Sequence, residues 1–183
     1  MKTIQEKTTD IYKQMSKEFG YTNVMQTPKI VKVVVSAGVG SFKDKKKIEL
    51  VADRLGKITG QKAAKRGAKQ SVAAFKVREG DTVGYQITMR GKRMLAFLDK
   101  LINVALPRTK DFRGVTANAI DEMGNFTLGI REHIIFPETA DEELKDVFGL
   151  AITIVTTAKT KAEAKAFLSL IGMPFKKVEE KKK

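Results

Sequence analysis

The sequence predicts an α+β fold, a two-layer sandwich in which a mainly antiparallel sheet carries helices on one face and leaves the other face open. Segments with helical periodicity are interspersed with short β-branched runs along the whole chain. Several of these runs are amphipathic, so one sheet face should pack under helices while the other stays polar. No internal repeat or linker divides the chain, so we predict a single domain over residues 1–177. The charged tail, residues 178–183, is expected to be disordered.

Four segments have the periodicity of amphipathic helices, and each is followed by a residue that can end a helix. The predicted helices are residues 3–19, 45–58, 92–106 and 160–172, and the residues that end them are Gly20, Gly60, Pro107 and Gly172. The last helix opens with Thr160 and Glu163, which have the spacing of a capping box.

Four further segments predict strands, namely residues 29–36, 83–90, 126–130 and 150–157. The strand "VGYQITMR" alternates cleanly, which places Gln86, Thr88 and Arg90 together on its polar face. Lys32 and Ser36 share a face of the strand "KIVKVVVS". If the two strands belong to one sheet, their polar faces form a common surface. The alternative is an ordinary solvated sheet face.

The charge balance predicts a polyanionic partner. The chain has 35 basic and 21 acidic residues and a net charge of +14, which favours nucleic acid or an anionic membrane surface. Residues 41–93 hold 15 basic and 5 acidic residues, and "GQKAAKRGAKQ" (60–70) has four cations and no acid. No segment has the length of a membrane span or the core of a signal peptide, so we predict a soluble cytoplasmic protein that does not bind membranes.

The sequence gives little support for catalysis. The single histidine, His133 in "REHIIFP", is expected at the surface or at a sheet edge and not as a catalytic base. There is no cysteine and no cluster with metal-ligand spacing, so we predict no metal, no cofactor and no small-molecule substrate. "SAGVGS" (36–41) contains G-x-G but lacks the rest of a nucleotide-binding motif, so it predicts a tight turn.

The aromatic residues favour one mode of RNA recognition. None of the ten Phe and three Tyr lies on the polar strand faces, so base stacking on the sheet is not expected. Phosphate and sugar contacts to folded double-stranded RNA are expected instead. Two alternatives remain open at this point. An RNA-modifying enzyme or its subunit would need a cofactor pocket or an acid–base pair, and a packaging protein would bind any nucleic acid with steep salt dependence.

Several segments, in order and without large gaps from about residue 10 to 177, together resemble one family. They are "GYTNVMQTPKIVKVVVSAGVG", "ITGQKAAKRGAKQSVAAFKVREGDTVGYQITMRG", "RMLAFLDKLINVALPRTKDFRG", "GNFTLGIREHIIFPE" and "ITIVTTAKTKAEAKAFLSLIGMPFKK". The chain resembles the L-five family of bacterial large-subunit ribosomal proteins. The resemblance implies a non-enzymatic protein of the central protuberance with an antiparallel sheet covered by helices on one side. Its implied partners are 5S rRNA, the large-subunit rRNA, P-site tRNA and a small-subunit ribosomal protein across an intersubunit bridge.

The resemblance also implies roles for individual residues, with the open sheet face as the 5S rRNA surface. The residues expected to bind 5S rRNA are Ser36, Gln61, Lys62, Lys65, Arg66, Lys69, Arg78, Thr88 and Arg90. Ser36 and Ala37 stand where the family commonly has Asn-Met, so Ser36 is a weaker expectation because it lacks the amide's extra donor and acceptor.

Two other segments are expected to meet other partners. The loop 71–84 corresponds to the segment that reaches tRNA, with Lys76 and Arg78 as its cations. The acidic stretch 138–146 would suit a basic small-subunit protein, with Asp141, Glu142 and Glu143 as the contacts. "DEMGN" (121–125) stands where Gly-Arg-Gly-Asn is usual, so an rRNA contact by that loop is in doubt.

Overall fold

Helices and strands alternate along the part of the chain that the computed structural model describes, residues 4–42, 44–110, 112–139 and 147–176. The helices are α1 (Ile4–Phe19), α2 (Lys45–Thr59), α3 (Gly91–Lys100) and α4 (Lys161–Ile171). The strands are β1 (Ile30–Gly38), β2 (Ala64–Gly67), β3 (Thr82–Met89), β4 (Phe126–Ile130) and β5 (Leu150–Thr156).

The strands form one sheet in the order β2-β3-β1-β5-β4, and every neighbouring pair is antiparallel. Alternation along β1 buries Val33 and Val35, and their cross-strand neighbours Ile87 and Ile154 are buried too. One face of the sheet is therefore apolar, as the amphipathic strands predict. The predicted α+β class with a mainly antiparallel sheet is confirmed.

The helices cover that apolar face and complete one core. Met15, Leu55, Leu98 and Phe167, one from each helix, are all at most 1 % exposed. These side chains fill the space between the two layers together with the buried strand residues. Among the described residues, no helix packs on the opposite sheet face. That asymmetry leaves an open surface for a partner.

Thr160 and the buried Glu163 fix the start of α4. Thr160 caps α4 by accepting a hydrogen bond from the backbone N–H of Glu163 at 3.3 Å. The carboxylate of Glu163 accepts from the N–H of Lys159 at 2.7 Å and from the hydroxyl of Tyr21, just after α1. The predicted cap by Thr160 is confirmed, but the Glu163 carboxylate binds the N–H of Lys159 and not that of Thr160, so the capping box is only half formed. The same acid ties α1 to α4.

Two local features differ from the sequence-based expectations, and one expectation falls on residues that are not described. The strand β2 was not predicted and lies within the basic stretch 60–70. The predicted helix 92–106 is helical, but Leu101–Ala105 winds as a π-helix, with the N–H of Leu106 bonded to the carbonyl of Leu101 at 2.9 Å. The predicted tail, residues 178–183, lies outside the described residues.

Of the two positions expected for His133, the surface is wrong, because the residue is buried just beyond the end of the edge strand β4. His133 is fully buried just after β4, and its ring stacks on Phe148 with 4.1 Å between centroids. Its Nδ1 accepts a hydrogen bond from the backbone N–H of Phe148 at 3.3 Å, and Thr139 donates to its carbonyl at 3.0 Å. A charged run precedes His133 in the sequence, but the aromatic partner that buries it lies 15 residues further along the chain.

Candidate nucleic-acid interface

The open face of the sheet brings the predicted polar strand residues together. Ser36 of β1 lies opposite Gln86 of β3 and Ala151 of β5. In the next row, Val34 lies between Thr88 and Thr153. The predicted common surface of the two strands is confirmed. Its residues are small, hydroxylated or amide-bearing, and no aromatic side chain stands on this face of the five strands.

The edge strand β2 extends this surface with a fixed cation. Arg66 pairs with Gly84, and its Nε donates a hydrogen bond to the side-chain oxygen of Gln86 at 2.7 Å. Gly84 in turn pairs with Gly38. A guanidinium held at one nitrogen keeps its other donors free for an anion. The two glycines beside it leave room for a backbone to approach closely.

The neighbouring lysine turns the other way. Lys65 pairs with the buried Tyr85, so it projects from the helix side of β2. There it lines a cavity of about 460 Å³ between α2 and β2, together with Lys57 and Lys62. Burial raises the pKa of the Tyr85 phenol at the floor of this cavity, and the negative charge of Glu49 raises it further. The structure therefore separates Lys62 and Lys65 from the open face on which Arg66 lies.

Gln61, Thr88 and Arg90 meet at the opposite end of β3. The amide of Gln61 donates to the carbonyl of Thr88 at 3.3 Å and is half-buried. The hydroxyl of Thr88 makes no hydrogen bond within the described residues, and Arg90 is exposed at the start of α3. A free hydroxyl and an exposed guanidinium can both contact the sugar–phosphate backbone.

The loop between β2 and β3 is an ordered hairpin tip. Val72 and Val77 bridge across it, and Arg78 is held by the hydrogen bond from its N–H to the carboxylate of Asp81 at 2.8 Å. Lys76 is exposed and has a φ of 53°, the only positive φ of a non-glycine residue in the described ranges. Phe75 beside it is 78 % exposed. Lys69, also exposed, lies at the base of the hairpin.

Sequence reasoning missed the exposed aromatic at this tip. The signal was available, because Phe75 directly precedes Lys76 in a predicted loop, where an apolar side chain has no core to enter. An exposed aromatic ring offers a flat contact for a base or a base pair.

The acidic side chains in the described ranges do not form a metal site beside this interface. Asp121 stabilises the turn that it begins, because its carboxylate accepts hydrogen bonds from the backbone N–H of Asn125 at 2.6 Å and from the Asn125 side chain at 3.0 Å. Across the described ranges, no group of three or more His, Asp or Glu side chains could hold a metal ion. No helix in those ranges is long and apolar enough to cross a membrane. Asp141, Glu142 and Glu143 lie outside the described residues.

Comparison with known proteins identifies relatives over most of the chain. Residues 23–78 match the family model described as Ribosomal protein L5, and residues 82–175 match the model of the C-terminus of the same ribosomal family. Three relatives carry the name Large ribosomal subunit protein uL5. That of Ureaplasma urealyticum serovar 10 is 50 % identical over 92 % of both chains. That of Flavobacterium johnsoniae is 49 % identical over 94 % of this chain and 95 % of the relative. That of Thermoanaerobacter sp. is 47 % identical over 97 % and 100 %.

Proposed function

Because this chain belongs to the ribosomal protein L5 family, we propose that it is a structural, non-catalytic constituent of the large subunit of the cytoplasmic ribosome and that its open sheet face binds 5S rRNA. One observation supports the proposal that the open sheet face binds 5S rRNA. Ser36 and Gln86 lie side by side on β1 and β3, and Arg66, which stands in the next row beside Gly84 and Gly38, reaches back to Gln86 through its side chain, so a hydroxyl, an amide and a fixed guanidinium lie together across three adjacent strands. Such a cluster suits the sugar–phosphate backbone of a folded RNA.

Arg66, Thr88 and Arg90 are the strongest of the proposed 5S rRNA contacts, because strand register or exposure places them on or beside the open face. Ser36 contributes a hydroxyl, and Gln61 positions the end of β3 through its bond to the Thr88 carbonyl. Lys69 and Arg78 lie in the hairpin that follows β2, and Lys62 and Lys65 lie on the helix side of that edge; all four add to the positive electrostatic potential that attracts the RNA.

The other proposed partners follow the same family assignment. The large-subunit rRNA anchors the complex, and the hairpin tip with Lys76 and Arg78 reaches the P-site tRNA. A basic small-subunit protein meets the acidic segment that contains Asp141, Glu142 and Glu143. Reversing these three acids to lysine should weaken the association of the two subunits, measured by sedimentation. Unchanged association of the subunits would refute the proposed contact with the small-subunit protein.

The 5S rRNA proposal is tested by the Thr88→Val variant, which keeps the β-branched shape and removes only the free hydroxyl. One lost hydrogen bond corresponds to about 0.5–1.5 kcal/mol, or a roughly 2- to 13-fold weaker complex. The Gln61→Ala variant should weaken binding as well, since the end of β3 loses its tether. Thr116→Val is the matched control, because Thr116 is exposed in a loop away from the sheet face. Filter binding measures the affinity of each variant for 5S rRNA, and circular dichroism on the same samples checks that each variant is folded. Equal affinities for all variants would refute the proposal.

A further inference from the structure

A buried phenol without a hydrogen-bond partner lies on the helix side of the sheet. Tyr85 is 3 % exposed, and its hydroxyl makes no hydrogen bond within the described residues. A buried tyrosine hydroxyl usually has a partner. The Tyr85 side chain lines the cavity of about 460 Å³ between α2 and β2. Its hydroxyl is therefore available to a molecule that enters this cavity.

Two lysines beside the phenol also have no partner. Lys65 pairs with Tyr85 across β2 and β3, and Lys62 lies in the turn between α2 and β2. Both lysines are exposed, line the cavity and make no ion pair within the described residues. A third lysine of the lining, Lys57, is bonded to Asp53 at 3.2 Å. Lys62 and Lys65 can therefore give their full charge to an anion in the cavity.

The acidic groups near the cavity do not cancel these charges. Asp53 is shared between Lys57 at 3.2 Å and Arg54 at 3.6 Å, so its charge is already compensated. Burial raises the pKa of the Tyr85 phenol, and the negative charge of Glu49 raises it further. The phenol is therefore protonated at neutral pH and acts as a hydrogen-bond donor.

The rest of the wall is made of small residues. Ala52 and Gly56 of α2 and Ala63 before β2 complete the lining. A Cβ at Gly56 would meet only the carbonyl oxygen of Gln61, at 3.8 Å, so this side of the cavity is not crowded. A volume of this size, with an apolar wall and a few converging polar groups, is typical of a small-molecule site. No sequence motif marks it, because its residues come from α2, the following turn, β2 and β3.

We propose that this cavity binds a small organic phosphate of nucleotide size, with its terminal phosphate between Lys62 and Lys65 and hydrogen-bonded to the Tyr85 hydroxyl. A terminal phosphate carries a charge between about −1.5 and −2 at pH 7, which matches the two unpaired lysines. The rest of the ligand lies against the small residues of the wall. A phosphodiester of RNA is favoured less, because it carries a single charge and is flanked by chain on both sides, which keeps it from the floor of a recessed cavity.

The site is separate from the proposed 5S rRNA surface. Strand alternation directs Lys65 to the helix side of β2 and Arg66 to the open face. The inference therefore goes beyond the proposed function and does not depend on it.

Isothermal titration calorimetry on the full chain tests the proposal with ADP as the probe. The wild-type protein should bind ADP with a Kd below about 1 mM. Lys62→Ala/Lys65→Ala should weaken binding by about a hundredfold or more and Tyr85→Phe by about tenfold or more, because a hydrogen bond to a charged group contributes roughly 10- to 150-fold. Lys161→Ala/Lys165→Ala, on the exposed face of α4, removes the same charge and should bind ADP as the wild type does. Circular dichroism checks that each variant is folded.

Three further titrations identify the ligand class. Adenosine, which lacks the phosphates, and citrate, which is an anion without phosphate, should each bind at least about tenfold more weakly than ADP. Saturating 5S rRNA should leave the affinity for ADP unchanged, and so should Arg66→Ala.

Several results would overturn the proposal. They are no binding of ADP to the wild type, equal binding of adenosine or citrate, equal losses in the two double-lysine variants, and displacement of ADP by 5S rRNA, which would assign the cavity to the RNA surface. If the wild-type chain fails to bind 5S rRNA, the proposed function fails, while the ADP titrations still test the cavity.

Discussion

Arg66 and Lys65 provide a direct test of which sheet face binds RNA. They are adjacent in β2, both are exposed, and both carry one positive charge. Strand alternation directs Arg66 to the open face beside Gln86 and Lys65 to the helix side beside Tyr85. Replacing either residue by alanine removes the same charge from the same strand, so a difference in RNA affinity reports the direction of the side chain.

The expected magnitude follows from the contacts. Arg66 is held at its Nε, so its remaining donors can make a charge-assisted bond to phosphate, which is worth about 1.5–3 kcal/mol. The Arg66→Ala variant should therefore bind 5S rRNA roughly 10- to 150-fold more weakly. Lys65→Ala loses only a longer-range attraction, which salt screens over about 10 Å at 0.1 M. We expect a change below about threefold for that variant.

Filter binding across a salt titration measures both effects. Arg66→Ala should also lower the slope of log affinity against log salt by about 0.7–0.9, the value for one phosphate contact, and Lys65→Ala should leave the slope almost unchanged. Neither change should affect folding by more than about 0.5 kcal/mol, because both side chains are exposed. Equal losses, or a larger loss for Lys65→Ala, would refute the assignment of the RNA to the open face.

Three further predictions concern single positions. Gly38→Val should weaken 5S rRNA binding by about tenfold or more with the fold intact, because a Cβ there would meet no protein atom within 4 Å and would project into the open face. Gly129→Val, where a Cβ is equally free at the β4 end of the same face, should have a smaller effect in the same filter assay. Burial and the hydrogen bond to Glu163 raise the pKa of Tyr21 above its ordinary value of 10.0. The resulting stabilisation is complete below pH 10 and is lost as the pH rises through the folded-state pKa, so Tyr21→Phe should flatten the fall in the free energy of unfolding above about pH 10, measured in urea. His133→Phe keeps the ring stack but leaves a buried backbone N–H without its acceptor, so denaturation should show a loss of about 1–3 kcal/mol, and an unchanged midpoint would contradict this role.

The secondary structure that packs the core could be predicted from the sequence. β4 has the predicted bounds, and α4 begins after the predicted cap at Thr160. These elements carry their own signals, since apolar periodicity and capping depend on residues close together in the chain. The open face was predictable for the same reason, because alternation alone separates Gln86 and Thr88 from Tyr85 and Ile87.

The features that the sequence did not predict depend on partners far away in the chain. β2 is made of Ala-Lys-Arg-Gly and has no β-branched or aromatic residue, so its extended conformation comes from pairing with β3. The faces of Lys65 and Arg66 follow from that register and could not be known without it. The burial of His133 similarly requires Phe148, whose position depends on the path of the chain after β4.

The distribution of charge over the sheet has a physical cause and a consequence for RNA binding. Central strands of a sheet with one buried face can place only alternate residues toward a partner, and here those residues are mostly uncharged, such as Val34, Ala151 and Thr153. Cations such as Arg66 and Lys76 stand instead at the edge strand β2 and in the hairpin that follows it, where water solvates them in the free protein and no burial cost arises. The counterions released on RNA binding should therefore be displaced mainly by cations at the edge of the sheet. The shape complementarity to the RNA groove should come from the uncharged residues at its centre. Substitutions at the edges should change the salt slope of RNA binding, whereas substitutions such as Thr153→Val should change affinity at a constant slope.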